Sequence, residues 1–89
     1  MKEHIEFETV TIVDPATNRK KDAVSVIRNG HRVALLPEAD RLRRALNLSL
    51  EDIKHTVNHF QELMDRPPNK DEQEFWKAVL EYKRGQEHS

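Results

Sequence analysis

The dipeptide Asn29-Gly30 constrains the fold of this chain more than any other feature, because it lies between two alternating apolar runs. Both residue types tolerate the positive φ angles that a type I′ turn requires, so the pair predicts a two-residue β-hairpin turn. Such a turn predicts three cross-strand pairs: Arg28 with His31, Val26 with Val33, and Val24 with Leu35. The aliphatic pairs suit one buried face of a sheet. The opposite face is then expected to carry four residues: Ser25, Ile27, Arg32 and Ala34.

A further strand is predicted before the hairpin, over residues 5–13, where apolar and β-branched residues alternate with glutamates. Asp14-Pro15 ends it, and residues 14–22 read as a loop with three consecutive cations, Arg19, Lys20 and Lys21. Three strands joined by short turns predict an antiparallel β-meander.

Three α-helices are predicted after the meander. Pro37 and Glu38 favour the start of the first helix, with Arg41 and Arg44 pointing away from its apolar face. Ser49 is a good N-cap for a second, long helix over residues 50–65, whose apolar stripe is Leu50, Ile53, Val57, Phe60 and Met64. The third helix is predicted over residues 72–84, capped by Asp71 and stopped by Gly85. The sequence therefore predicts an α+β fold.

This pattern divides the chain into a core domain, residues 1–66, and a proline linker with the last helix, residues 67–89. Five apolar residues of that helix are candidates for partner binding: Phe75, Trp76, Val79, Leu80 and Tyr82. An aromatic-rich helix after a stiff linker suits an arm that binds another protein, and it suits equally a helix docked on its own core.

Composition limits the class of protein. The chain has 89 residues, of which 36% are hydrophobic and 35% charged, so it predicts one small core that a second copy or a partner would stabilise. It contains no cysteine, which excludes disulfides and cysteine nucleophiles and favours the reducing cytoplasm. No apolar run approaches the length of a membrane span, so no membrane association is expected.

The charges are distributed unevenly. Residues 1–50 carry an excess of two positive charges and residues 51–89 an excess of three negative ones. Arginine dominates the first half, and guanidinium groups suit bidentate contacts to phosphate or guanine. Five residues are candidates for DNA binding: Arg28, Asn29, Arg32, Arg41 and Arg44. The alternative is a solvated face whose arginines pair with Glu38 and Asp40.

No catalytic or metal site is predicted. His55 and His59 lie four residues apart, a spacing that zinc can use, but Thr56 occupies the position where a zinc-protease helix has glutamate. Their helix face is opposite the apolar stripe, so exposed surface is the expected role. The chain has two glycines and no glycine-rich loop, which leaves no nucleotide-binding motif. We therefore expect a protein that is not an enzyme and needs no cofactor.

The stretch VIRNGHRVALLP, followed by LRRALNLSLED, resembles the DNA-binding half of prokaryotic antitoxins of the AbrB/MazE/VapB type. The matching residues are Arg28, Asn29, Gly30, Leu36, Pro37, Ala45, Leu46 and Leu48. The resemblance implies a dimer built from exchanged hairpins, operator contacts from Arg28, Asn29 and Arg32, and a C-terminal arm that wraps a toxin. Shorter stretches resemble Phd/YefM antitoxins and MerR-type recognition domains.

These features together predict a cytoplasmic, homodimeric, antitoxin-like repressor that binds operator DNA and a toxin-like protein. The alternative is a protein–protein adaptor or inhibitor of the phage or plasmid accessory type, without nucleic-acid binding. The net charge of −1 favours this alternative.

Overall fold

The computed structural model describes residues 4–87 and confirms the α+β class. A three-stranded antiparallel sheet in the order β1-β2-β3 precedes the helices. The elements are β1 (Ile5–Val13), β2 (Lys20–Arg28), β3 (His31–Leu36), α1 (Asp40–Asn47), α2 (Leu50–Asn58), α3 (Phe60–Met64) and α4 (Lys70–Glu87). None of the helices within residues 4–87 is long and apolar enough to cross a membrane.

The connection between β1 and β2 is shorter than predicted. The backbone N–H of Asp14 donates to the carbonyl of Arg19 at 2.8 Å, and this bond closes the turn. Lys20 therefore already pairs with Val13, and Lys21 with Ile12, so residues 20–22 belong to β2 and not to the loop. The carboxylate of Asp14 accepts the N–H of Ala16, which lowers the pKa of that carboxyl.

The hairpin turn is confirmed, but its register is only partly as predicted. Asn29 and Gly30 have φ angles of 53° and 84°, and Arg28 pairs with His31. A β-bulge follows, in which Val33 is the extra residue. The predicted pairs Val26–Val33 and Val24–Leu35 are wrong: Val26 pairs with Ala34 and Val24 with Leu36. Because one extra residue reverses the alternation of a strand, Ala34 and Leu36 take the buried positions.

The predicted helix over residues 50–65 is divided in two. Ser49 caps α2 as predicted, since its hydroxyl accepts the N–H of Asp52 at 3.1 Å. At His59 the backbone leaves the helical region, with φ −123° and ψ 24°, and α3 begins after it. Along the predicted stripe, Ile53 and Phe60 are buried, whereas Val57 and Met64 are exposed.

The last helix, α4, is longer than predicted at both ends. Asn69 accepts the N–H of Glu72 at 2.8 Å, and Glu72 accepts the N–H of Asn69 at 3.2 Å, a reciprocal capping arrangement. The cap is therefore Asn69 and not Asp71. Gly85 lies inside α4 and does not stop it, because the helix continues to Glu87.

One core joins the helices to one face of the sheet. Its buried members are Val24, Val26, Ala34, Leu36, Ala45, Ile53, Phe75, Ala78 and Val79. The three residues from α4 have no exposed surface, so α4 is docked on the sheet as part of this core. Phe7 of β1 contacts the rings of Phe75 and Tyr82 edge-on, at 6.3 and 5.7 Å between ring centroids.

Candidate functional site

The three hairpin residues predicted to bind DNA make three separate contacts. Arg28 lies between the hairpin and α4, where its guanidinium donates to Glu81 at 2.8 Å and its side chain is 14% exposed. Asn29 is exposed at the turn, and its side-chain oxygen accepts the N–H of His4 at 2.9 Å. The side chain of Arg32 reaches the neighbouring strand β2, where its Nε donates to the hydroxyl of Ser25 at 2.7 Å.

The two candidates on α1 have different surroundings. Arg41 is half-buried and donates to Glu38 at 3.0 Å and to Glu72 at 3.2 Å, so it faces the core side of α1 and not solvent as predicted. Arg44 is exposed and forms no ion pair within residues 4–87. Both lie at a shallow depression whose charged residues are balanced in sign: Lys21, Arg41, Arg44, Asp22, Glu38 and Asp40. This depression is therefore not a cationic patch.

A buried carboxylate, Glu72, organises the start of α4. Its side chain is 4% exposed and accepts a bidentate pair of hydrogen bonds from Arg66, at 2.6 and 2.8 Å. These bonds lower the pKa of Glu72 to about 2, although burial raises it, and the N–H of Asn69 and the guanidinium of Arg41 add to the lowering. Arg66 also lies over the ring of Phe60, at 5.5 Å from the centroid. We call these residues, Arg41, Arg66, Asn69 and Glu72, the Glu72 cluster.

Next to the Glu72 cluster, α2, α3 and α4 form an apolar groove of about 250 Å³. Its lining residues are Val57, Phe60, Pro68, Glu72, Gln73, Trp76, Lys77 and Leu80. Since the carboxylate of Glu72 is satisfied by the two arginines, the groove offers mainly hydrocarbon and indole surface. We call this surface the α4 groove.

Only part of the predicted partner-binding set lies at this surface. Trp76 and Leu80 line the α4 groove and are half-buried. Phe75 and Val79 are fully buried in the core, and Tyr82 packs on Phe7 beside it. Helical spacing places Phe75, Val79 and Tyr82 on one stripe with Trp76 and Leu80 beside it. In the structure the stripe lies on the core side of α4, and the two neighbouring residues line the groove.

The face of α4 that lines the groove has a signal in the sequence. Gln73, Trp76, Lys77 and Leu80 follow the i, i+3, i+4, i+7 spacing of one helix face. Val57 was predicted to lie in the core stripe, and it is 39% exposed at the groove, close to the break at His59. That break has no local sequence signature.

The pair of histidines at the C-terminal end of α2, His55 and His59, lies at the surface, as expected. The rings of His55 and His59 are 4.5 Å apart between centroids, and Nδ1 of His59 lies 3.4 Å from a carboxylate oxygen of Glu62. Within the part of the chain that the structure describes, no three histidine or acidic residues are grouped as they would be to hold a metal ion.

Comparisons of the chain with protein-family models, with curated proteins and with solved structures found no match in any of the three.

Proposed function

We propose that this chain is a non-enzymatic protein-interaction module of the adaptor or inhibitor class, and that its α4 groove receives apolar side chains of a partner protein. The observation that carries the proposal is the groove itself, where Val57, Trp76 and Leu80 present apolar surface to solvent around a neutralised carboxylate. Tryptophan in such a position is typical of the residues that dominate binding energy at protein interfaces.

The Glu72 cluster supports this proposal because it fixes the walls of the groove before any partner binds. Arg66 and Asn69 tie the segment between α3 and α4 to the first turn of α4, and Arg41 ties α1 to the same carboxylate. A preformed site loses less conformational entropy on binding, which leaves more of the contact energy for affinity.

The chemistry of the partner follows from the charges at the rim. Lys77 lines the groove, and Lys70 and Arg84 lie seven residues away on either side, on the same face of α4. Neither Lys70 nor Lys77 has an ion pair within residues 4–87. An apolar segment flanked by aspartate or glutamate therefore complements this face, and we propose an acidic amphipathic helix as the partner element.

A peptide titration tests the proposal directly. Trp76 is the only tryptophan of the chain, so its fluorescence reports on the groove. The probe is a tryptophan-free amphipathic peptide with leucine and phenylalanine on one face and glutamate on the other. We expect a saturable change in emission. A peptide with lysine in place of glutamate is expected to bind more weakly, since it meets cations at the rim.

Variants then locate the binding surface. Lys77→Glu is expected to lower the affinity for the acidic peptide by about threefold to tenfold. An ion pair at the rim contributes up to about 1 kcal/mol, and reversal of the charge at residue 77 adds repulsion. Lys20→Glu, the same charge change on β2, is the matched control and should bind like the wild type. No saturable binding, or equal binding of both peptides, would contradict the proposal.

Operator binding, which the antitoxin resemblance implies, is a second proposal. The observation in its favour is that Arg32 and Arg44 are exposed. The test is a gel shift with the DNA upstream of the gene at low salt, where binding driven by cations is strongest. We expect the double variant Arg32→Glu with Arg44→Glu to lose the shifted band. Absence of a band for the wild type would remove the DNA-binding role and leave the peptide result unaffected.

A further inference from the structure

The sheet has a second face that the core does not use. Alternation along the strands places it opposite Val24 and Val26. We call it the outer face, and its central residues are Val10, Ile12, Ala23, Ser25, Ile27 and Leu35. None of them belongs to the core cluster or packs against it.

The composition of the outer face is unusual for a surface exposed to water. Antiparallel sheets with one solvated face normally alternate apolar and polar residues, whereas the residues of β2 between Ala23 and Ile27 are apolar on the core face and apolar or small on the outer face. The aliphatic side chains of Val10, Ile27 and Leu35 are half-buried without packing on the core cluster, and Ala23 and Ser25 between them are fully buried. This pattern is typical of a sheet that is covered on both sides.

The charges at the two edges of the outer face are opposite in sign. Glu6 pairs across the strands with Ile27, which in turn pairs with Arg32, so an acidic and a basic residue lie at the two ends of one row. In the next row Glu8 pairs with Ser25, and the guanidinium of Arg32 reaches this row through its bond to the Ser25 hydroxyl. Glu6 contacts the ring of His4 at 2.6 Å, whereas Glu8 has no ion pair within residues 4–87. At the hairpin end of the outer face, β1 is therefore acidic, Ile27 of β2 is apolar and Arg32 of β3 is basic.

A surface with this layout is complementary to itself. When two identical sheets stack face to face about a two-fold axis parallel to their strands, β1 of each copy lies over β3 of the other. This places Glu6 of each copy over Arg32 of the other, and Glu8 over Leu35, in the row that the guanidinium of Arg32 reaches. Both contacts occur twice. An axis that lies between the sheets but is perpendicular to the strands places β1 over β1. In that arrangement neither the glutamates of β1 nor Arg32 meet a strand of opposite charge. We propose that the chain forms a homodimer by stacking the outer faces of two sheets about an axis parallel to the strands.

This dimer is independent of the α4 groove, which lies on the helical side of the molecule. It also differs from a dimer of exchanged hairpins, because each hairpin keeps its own partners and no backbone is shared. The proposal requires no residue of α4, so the groove variants do not affect it.

A charge swap tests the arrangement, with the oligomeric state of the full chain measured by sedimentation equilibrium. The wild type is expected to show a concentration-dependent dimer. Arg32→Glu and Glu8→Lys, each alone, bring like charges together twice across the interface and should weaken the dimer by at least about tenfold. The double variant restores opposite charges with their positions exchanged and is expected to return the dimerisation constant to within about threefold of the wild type.

Two further variants keep the test decisive. Arg43→Glu changes the same charge at an exposed position of α1, with 80% of its side chain in solvent, and should dimerise like the wild type. Circular dichroism of each variant separates a lost interface from a lost fold, and rescue by the double variant requires a folded protein. The proposal is overturned if the wild type stays monomeric up to about 0.5 mM, because this concentration is far above a dissociation constant of about 1 µM for the dimer. Single variants without effect, or a double variant without rescue, also overturn it. So does a dimer that Lys77→Glu disrupts, because the second copy would then occupy the α4 groove.

Discussion

Replacing Glu72 by glutamine removes the charge at the centre of the Glu72 cluster while preserving the shape of the side chain. The side chain of Glu72 is 4% exposed, and the hydrogen bonds from Arg66, at 2.6 and 2.8 Å, are the main cause of its low pKa. A glutamine amide accepts through one atom only and turns its NH₂ group toward a guanidinium donor. The variant therefore loses the ion pair and at least one hydrogen bond.

The size of the effect follows from proton linkage. A carboxyl with a pKa of 4.5 in the unfolded chain and about 2 in the folded protein contributes about 3 kcal/mol to the free energy of unfolding at neutral pH. The side chain of Arg66 is 47% exposed, so water screens part of its attraction, and we expect Glu72→Gln to lose about 2 kcal/mol.

The pH dependence has a definite sign. Because the pKa of Glu72 is lower in the folded protein than in the unfolded chain, the stabilisation is complete above pH 4.5 and is lost as the pH falls towards 2. The difference in unfolding free energy between wild type and variant should therefore shrink to about half between about pH 6 and about pH 3.

Urea unfolding followed by far-ultraviolet circular dichroism measures both quantities, at about pH 6 and about pH 3. Glu51→Gln is the control, because the side chain of Glu51 is 84% exposed and forms a long ion pair with Lys54, at 3.7 Å. This substitution should change the free energy of unfolding by less than about 0.5 kcal/mol. A variant as stable as the wild type at pH 6, or a difference that stays constant down to pH 3, would refute the reasoning.

Three further substitutions test local backbone features through the unfolding free energy. Gly85→Ala should stabilise the protein by about 0.5–1 kcal/mol, because the residue lies inside α4 with open space around it; destabilisation would mean that the helix ends there. Gly30→Ala should destabilise by about 1 kcal/mol, because a φ of +84° is unfavourable for alanine, and an unchanged stability would contradict the type I′ turn. Ser49→Ala should cost about 1 kcal/mol through loss of the α2 cap, whereas Ser49→Asp, which keeps an acceptor, should stay near the wild type.

Features that depend on neighbouring residues were predictable from the sequence. The Asn29-Gly30 turn and the Ser49 cap each rest on backbone preferences and hydrogen bonds within four residues. The class of the fold follows from them, because alternating and helical patterns set the type of each element. The cap of α4 was equally readable, since Asn69 and Glu72 have the spacing of a capping box.

Features that depend on packing were not predictable in this way. Val33 and Leu35 are as apolar as Ala34 and Leu36, so the sequence alone did not decide which pair faces the core. The bulge resolves this choice, and it becomes favourable only once the helices cover one face. The α4 groove depends in the same way on packing, since Val57 lies one helical turn after buried Ile53 on α2 and is nevertheless 39% exposed.

The uneven distribution of charge along the sequence has a structural explanation. An excess of positive charge in residues 1–50 predicted a cationic surface, yet two of its arginines are matched by carboxylates from the other half. Arg28 bonds to Glu81, 53 positions away, and Arg41 to Glu72, 31 positions away. Both carboxylates lie on α4, so the opposite charges of the two halves help to hold this helix against the sheet and α1.

A DNA ligand that bound Arg28 or Arg41 would have to displace α4 carboxylates from these bonds, and Glu72 is among the least exposed polar groups of residues 4–87. The cost of leaving a buried carboxylate unpaired is large, so any binding of phosphate is confined to cations such as Arg32 and Arg44, outside these bonds. For this reason we propose a protein partner at the α4 groove ahead of an operator at the hairpin.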